Sequence, residues 1–341
     1  MLSRRQFIHQ GLMAGVGVTM FPFAQSQESE SVIMTVNGPV NPDDLKFTLT
    51  HEHILVDFVG AEKITSGRYD VDEVFNKALP LLHAAKDNGC DTFIECTPAY
   101  LGRDVRLLQR LSKASGLTII TNTGYYSAVG EKYLPPHAYT ETAEQLAARW
   151  IKEWKDGIEG TGIRPGFIKT STDKAPLSPT QRKVIEAAAL THLATGLTIG
   201  IHTGDGEAGR EQLEILKTHG VSPTARIWIH AQNEKNSDYH IEAANQGSWV
   251  SFDGVNAGSS DAHVSFLKSM KRAGLMDHIL VSQDSGWYHV GEPDGGNYKG
   301  YDFIFTHFIP ALRRNDFTQN EINKIFITNP AKAFIVQTRK L

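Results

Sequence analysis

The chain has only two cysteines in 341 residues, Cys90 and Cys96. They bracket the strand-like run "DTFIE". Six residues of strand hold two Cα atoms about 20 Å apart, beyond disulfide reach. A disulfide framework is excluded, and a thiolate zinc site is unsupported. A surplus of positive charge is also missing: 34 basic residues face 38 acidic ones, a formal net charge of −4. The longest basic runs after the first residues are pairs, as at Lys271-Arg272 and Arg313-Arg314. This argues against a nucleic-acid partner. No GxGxxG or GxxxxGK[ST] loop occurs, so a nucleotide-binding sheet lacks its signature. No GxSxG occurs either, leaving a serine hydrolase without support. What remains is a composition of 40% hydrophobic and 21% charged residues with 30 glycines, that of a globular chain with a large core.

The first residues, "MLSRRQFIHQGLMAGVGVTMFPFAQSQ", differ from the rest. A basic start leads into a Gly-rich apolar stretch, Gly11 to Phe23, too short for a comfortable membrane span. Ser3-Arg4-Arg5-Gln6-Phe7-Ile8 resembles a bacterial twin-arginine export signal. Residues 1–26 are therefore expected to be a cleaved leader, with Ala24-Gln25-Ser26 offering small residues for cleavage. A retained anchor is the second reading. Loss of Arg4 and Arg5 with no acid moves the net charge from −4 to −6. The expected location is the periplasm, with no stable membrane association once the leader is gone.

Eight short apolar runs alternate with helix-like stretches. The runs are 46–53, 91–97, 117–124, 165–171, 197–204, 225–231, 248–254 and 278–284. Helical periodicity covers 71–88, 103–115, 141–159, 178–195, 209–220, 238–246 and 261–273, with a last pair at 301–314 and 318–326. Runs apolar on both sides suit parallel strands covered on both faces. Eight such units predict a single-domain α/β fold, a (β/α)₈ TIM barrel over residues 33–335, with an open doubly wound sheet as the alternative.

Metal-capable residues collect at the carboxyl ends of these runs, the rim where barrel active sites lie. His51 and His53 end the first, Lys169 the fourth, His202 the fifth, His230 the sixth and Asp284 the eighth. Residues two apart on a strand face one side, so "HEH" can present both imidazoles to one cation while Glu52 points away. A single strand-end histidine is more often an ordinary polar residue. Four of the 14 histidines at such positions, joined by Asp284, make coincidence harder to sustain. Nitrogen and carboxylate donors without thiolate favour zinc or a similar divalent ion. Lys169 can equally snorkel to solvent. Asp284 has a second role open to it, as general base beside metals.

The pieces "TLTHEH", "GFIKT", "IHTG", "IHAQN", "SFDG", "SQDSGW" and "TNPAKAF" together resemble the phosphotriesterase-like family of the amidohydrolase superfamily, over roughly residues 33–335. That resemblance implies a binuclear centre. His51, His53 and Asp284 would hold the more buried ion, His202 and His230 the more exposed one, and a carboxylated Lys169 would bridge them. It implies hydrolysis of a small-molecule ester, lactone or phosphotriester by a hydroxide bridging the ions, with Asp284 taking the proton. Amide or carbamate hydrolysis on the same site is the alternative, and a non-catalytic periplasmic binding barrel is the rival from another class. A homodimer is left open. Gly254 follows Asp253, where phosphotriesterases of the family place His and lactonases commonly place Arg, so neither specificity carries over. Tyr126, in "TNTGYY", aligns with a tyrosine lining the lactonase pocket, though it reads equally as a packed rim aromatic. Asp253, Trp287 and Tyr288 complete the pocket candidates.

Overall fold

A computed structural model describes residues 31–65 and 67–341. The expected export signal, residues 1–26, lies outside the described residues. An antiparallel hairpin comes first, Ile33–Thr35 with Gly38–Val40. Eight parallel strands follow, numbered here along the barrel: β1 Thr48–Glu52, β2 Thr92–Glu95, β3 in two pieces (Thr118–Ile120 and Asn122–Thr123), β4 Phe167–Ser171, β5 Thr198–His202, β6 Arg226–Ile229, β7 Trp249–Phe252 and β8 Ile279–Val281. Ladders join β1 to β2 and β2 to the first piece of β3, then run unbroken from its second piece through β8. All eight predicted strands are present, each trimmed by one or more residues at its ends.

The remaining gap, between β8 and β1, is closed at the rim by backbone bonds. Asp284 N–H donates to the His51 carbonyl at 3.1 Å and His53 N–H to the Ser285 carbonyl at 2.9 Å. Below them the Thr50 hydroxyl donates to the Val281 carbonyl at 3.3 Å. Pairing continues outward as Tyr288–His289 runs parallel to Leu55–Val56. A closed sheet leaves no edge groups unpaired.

Residues from six strands meet in one buried cluster: Ile94, Ile120, Phe167, Ile227, Ile229, Trp249 and Leu280. Strands so distributed can touch only through the barrel interior. Ile33 of the hairpin and Phe334 of the closing helix Asn329–Ala333 and its cap join the same cluster. Each fully buried aliphatic or Phe side chain contributes about 1.5–3 kcal/mol over its exposed state. This packing closes the barrel opposite the rim.

Helix boundaries follow caps rather than periodicity. The second helix starts at Val105 instead of Arg103, because the Asp104 carboxylate accepts from the N–H groups of Arg106 and Leu107. The Arg103 side chain is instead buried, its guanidinium paired two-pronged with Glu153. The stretch expected at 209–220 begins earlier, as Gly206–Thr218 capped by Asp205. Capping boxes at Thr142/Gln145 and Ser178/Gln181 begin Ala143–Asp156 and Pro179–Thr195. No helix among the described residues is long and apolar enough to cross a membrane.

Strand register sets the depth of the site. Ser171 pairs with His202, and His202 with Ile229, so these three share a level. Lys169 pairs with Gly200, one repeat deeper. Gly124, at φ +111°, lies against the Lys169 backbone; an added Cβ would stand 2.3 Å from its carbonyl oxygen. Gly124→Ala is therefore expected to lower unfolding free energy by about 2–4 kcal/mol through strain and overpacking. Gly160→Ala, with φ +70° and open space around the new Cβ, should cost about 1 kcal/mol. Equal shifts in urea titrations of the two variants would refute a packing role for Gly124.

Candidate metal centre

The i,i+2 spacing of "HEH" places both imidazoles on one side of β1. His51 Nε2 lies 3.2 Å from His53 Nε2. Asp284 Oδ1 arrives from beyond β8, 3.1 Å from His53 Nε2 and 3.6 Å from His51 Nε2. Zinc bonds of about 2.0–2.1 Å in tetrahedral array separate neighbouring ligand atoms by about 3.3 Å. The three donors match that spacing. Asp284 Oδ1 has no hydrogen-bond donor among the described residues although it is enclosed, as an anion awaiting a cation would be.

The outer imidazole nitrogens are fixed by a second carboxylate. Asp253 is wholly buried. Its Oδ2 lies 3.2 Å from His51 Nδ1 and its Oδ1 2.6 Å from His230 Nδ1. Burial opposes its charge, but His230 and His51 hold its carboxyl well below the usual range. An ionised carboxylate only accepts, so both Nδ1 atoms carry hydrogens and both Nε2 lone pairs face the cavity. His51, His230 and Asp253 thus lie close together as a hydrogen-bonded support rather than a second cage. Gln232 locks Asp253 in turn: its amide nitrogen donates to Oδ1 at 3.1 Å and its oxygen accepts from Asp253 N–H at 3.2 Å. A Cβ at residue 254 would stand 2.7 Å from that amide nitrogen. Glycine at 254 and glutamine at 232 therefore go together.

His202 and His230 pack edge to face, ring centroids 4.4 Å apart. They supply two nitrogens on the far side of the cavity, so an ion there needs Lys169 or Asp284 to complete its shell. Lys169 is 1% exposed, and burial pulls its ammonium below the ordinary value. Burial, with Lys169 adding to it, lowers His51 to about 4. Burial and the neighbouring His230 hold His202 well below its ordinary value. Burial also opposes charge on Asp284, yet the surrounding histidines keep its carboxyl low. Burial disfavours charge on His230 as well, but Asp253 outweighs it and raises that imidazole above its ordinary value. His51, His53 and His202 thus stand as neutral imidazoles beside ionised carboxylates, the forms a divalent ion requires.

The donors floor a cavity of about 160 Å³ walled by Phe58, Leu101, Tyr126, Val129, Tyr133 and Trp287, with Pro98 and Cys96 deeper. The structure thus brings His51, His53, Lys169, His202, His230 and Asp284 together, with Tyr126 and Trp287 in the wall. The Tyr126 hydroxyl stands 3.1 Å from His202 Nδ1. Trp287 packs against His53 in a tilted arrangement, ring centroids 4.2 Å apart, and gives its indole N–H to the Asp284 carbonyl at 2.8 Å.

Two expectations for the pocket need correction. Tyr288 begins the short extended piece paired with Leu55–Val56, and its hydroxyl bonds Glu73 in a separate crevice. Asp253 lies behind the histidines, not on the wall. Phe58, Val129 and Tyr133 went unrecognised because they sit on loops without periodicity. Gln232 lay within "IHAQN", but nothing in its spacing marks a clamp.

The model of the phosphotriesterase family matches residues 31–334. The chain belongs to the phosphotriesterase family. It is 29% identical to the phosphotriesterase homology protein of Escherichia coli (strain K12), covering 86% of this chain and 99% of that one. It is 29% identical to the aryldialkylphosphatase of Saccharolobus solfataricus, covering 86% and 96%. Among solved structures, a double mutant of organophosphorus hydrolase from Deinococcus radiodurans superposes with a TM-score of 0.79 at 27% identity, covering 89% of this chain and 96% of that one.

Asp253→Asn removes the charge that fixes both Nδ1 hydrogens. It should weaken divalent-ion affinity about 10–100-fold, read by competition with a chromophoric chelator. Unchanged affinity would show that Asp253 does not orient the ligands.

Proposed function

We propose that this chain is a divalent-metal-dependent hydrolase acting on uncharged esters, lactones or phosphotriesters. The observation that carries the reading is the triangle of His51 Nε2, His53 Nε2 and Asp284 Oδ1, facing His202, His230 and Lys169 across the floor of an apolar cavity. His51, His53 and Asp284 would hold one ion, His202 and His230 a second, both zinc by donor chemistry. Bound ions there supply Lewis-acid polarisation of a carbonyl or phosphoryl oxygen and lower the pKa of water.

The side chains do the rest. Lys169 would react with carbon dioxide, its amine nitrogen bonding to carbon and releasing a proton. The resulting carbamate offers two anionic oxygens where an ammonium would be repelled. The depressed basicity of this buried amine supports that step. Asp284 receives the proton of the attacking water at Oδ2, the oxygen not turned toward His51 and His53. Phe58 and Trp287, stacked at 5.8 Å, exclude water above His53. Above the metal-capable floor the wall is Phe58, Leu101, Tyr126, Val129, Tyr133 and Trp287, with no charged side chain among them, which favours an uncharged substituent there.

A metal-replete preparation should hydrolyse at least one member of a panel comprising an aryl ester, a γ-lactone, a paraoxon-like triester and an N-acyl amide. Chelation should abolish turnover and zinc restore it. Asp284→Asn should lower kcat roughly 10²–10⁴-fold. A metal-free protein that binds a small molecule tightly without converting it would instead support a binding barrel. Turnover of the amide alone would move the reading to amide hydrolysis.

Export is the second part of this reading. A twin-arginine route carries folded proteins, so ions could be loaded before crossing to the periplasm. Replacing Arg4 and Arg5 with Lys should leave precursor in the cytoplasmic fraction; unchanged periplasmic recovery on immunoblots would count against it.

A further inference from the structure

Between the two histidines of β1 stands Glu52, on the opposite side of the strand and wholly buried. Its carboxyl group accepts three hydrogen bonds, all from the segment that carries Asp284. The Ser282 hydroxyl donates to Oε1 at 2.6 Å and Gln283 N–H to the same oxygen at 3.2 Å. Ser285 N–H donates to Oε2 at 2.8 Å. Asp284, between these donors, gives its own N–H to His51 and turns its side chain into the cavity.

The segment is one that would not hold this shape unaided. Asp284 has φ +52° and Trp287 φ +79°, both in the left-handed region that L side chains disfavour. Between them Gly286, at φ +100°, approaches the His53 carbonyl so closely that a Cβ would stand 1.8 Å from it. Such backbone persists where its surroundings over-determine it. Glu52 supplies that restraint from behind, with the Trp287 indole bond to the Asp284 carbonyl on the other side.

We propose that Glu52 is a positioning residue for the metal centre: its carboxyl group holds the Ser282–Ser285 turn so that Asp284 Oδ1 meets the two imidazole nitrogens of β1. It touches neither ion nor substrate. A carboxyl group suits the place because each of its oxygens faces a backbone N–H. An amide in either orientation turns its NH₂ toward one of those donors. The proposal rests on Asp284 being a metal ligand, and its test is made on metal binding rather than turnover.

The experiment compares native full-length protein with Glu52→Gln and Ser282→Ala, using zinc affinity by chelator competition and the visible spectrum of the cobalt(II)-substituted protein. In Glu52→Gln one of two bound ions should weaken tenfold or more, and the cobalt bands should change as Asp284 is displaced. A general loss of stability would not by itself alter those bands in the folded protein. Native affinity for both ions with a native cobalt spectrum overturns the proposal, whatever happens to Tm. Should Glu52→Gln fail to fold, Ser282→Ala decides, since it removes one donor and leaves the carboxyl group in place. A spectral change with at least threefold weaker binding supports the proposal, and native values overturn it. A native protein that binds two ions yet hydrolyses nothing sinks the hydrolase reading alone.

Discussion

The structure depends on the seam between its first and last strands. A parallel barrel closes only if β8 finds β1, and here the meeting is made where the metal-capable residues lie. Asp284 N–H to the His51 carbonyl and His53 N–H to the Ser285 carbonyl fix the register across some 230 residues of chain. Tyr301 adds its hydroxyl to the His53 carbonyl at 2.7 Å. A slip of one residue would part these backbone bonds and carry Asp284 Oδ1 out of reach of both imidazole nitrogens. Fold closure and assembly of the His51–His53–Asp284 triangle are therefore one event.

The electrostatics extend the same logic. Four histidines and a lysine in a dry pocket would repel one another if protonated; burial drives His51, His53, His202 and Lys169 toward neutrality, while at His230 Asp253 outweighs burial and raises it. Asp253 and Asp284 stay ionised because each faces imidazoles. Asp253 joins β1 to the end of β6 by holding His51 and His230 with its two oxygens. One carboxylate thereby orients a ligand from each side of the cavity, and movement at either end is transmitted to the other. His230 itself sits at φ +61°, another disfavoured backbone, held by Asp253, which also accepts the His230 backbone N–H at 3.1 Å.

Much of this was legible in the sequence, for identifiable reasons. Parallel strands buried on both faces leave apolar runs, and those runs gave all eight. A period of two reveals that His51 and His53 share a side, and a strand-end position reveals the rim. What stayed hidden depends on contacts between residues far apart. Glu52 reads only as pointing away, since its partners lie 230 or more residues later. Gln232 and Gly254 explain each other only in space. The outward direction of Tyr288 is hidden because its turn-rich neighbourhood conceals the short extended pair with Leu55 and Val56. The second helix was read two residues early because Asp104 caps it and frees Arg103 for burial against Glu153.

The wall and the ligands are not independent parts. Trp287 lines the cavity, packs tilted against His53 and anchors the Asp284 carbonyl, all from a left-handed backbone. A smaller side chain there would widen the pocket, but it would also remove the ring covering one ligand and the bond steadying another. Phe58, 38% exposed at the mouth, and Val129 and Tyr133 touch none of these ligand bonds. On the proposed hydrolase reading, substrate range could therefore vary at 58, 129 and 133 with the His51–His53–Asp284 arrangement intact, whereas change at 287 would alter both together. On this barrel the β1 and β3 loops are the free variables of specificity, and the β8 loop is constrained by the chemistry beneath it.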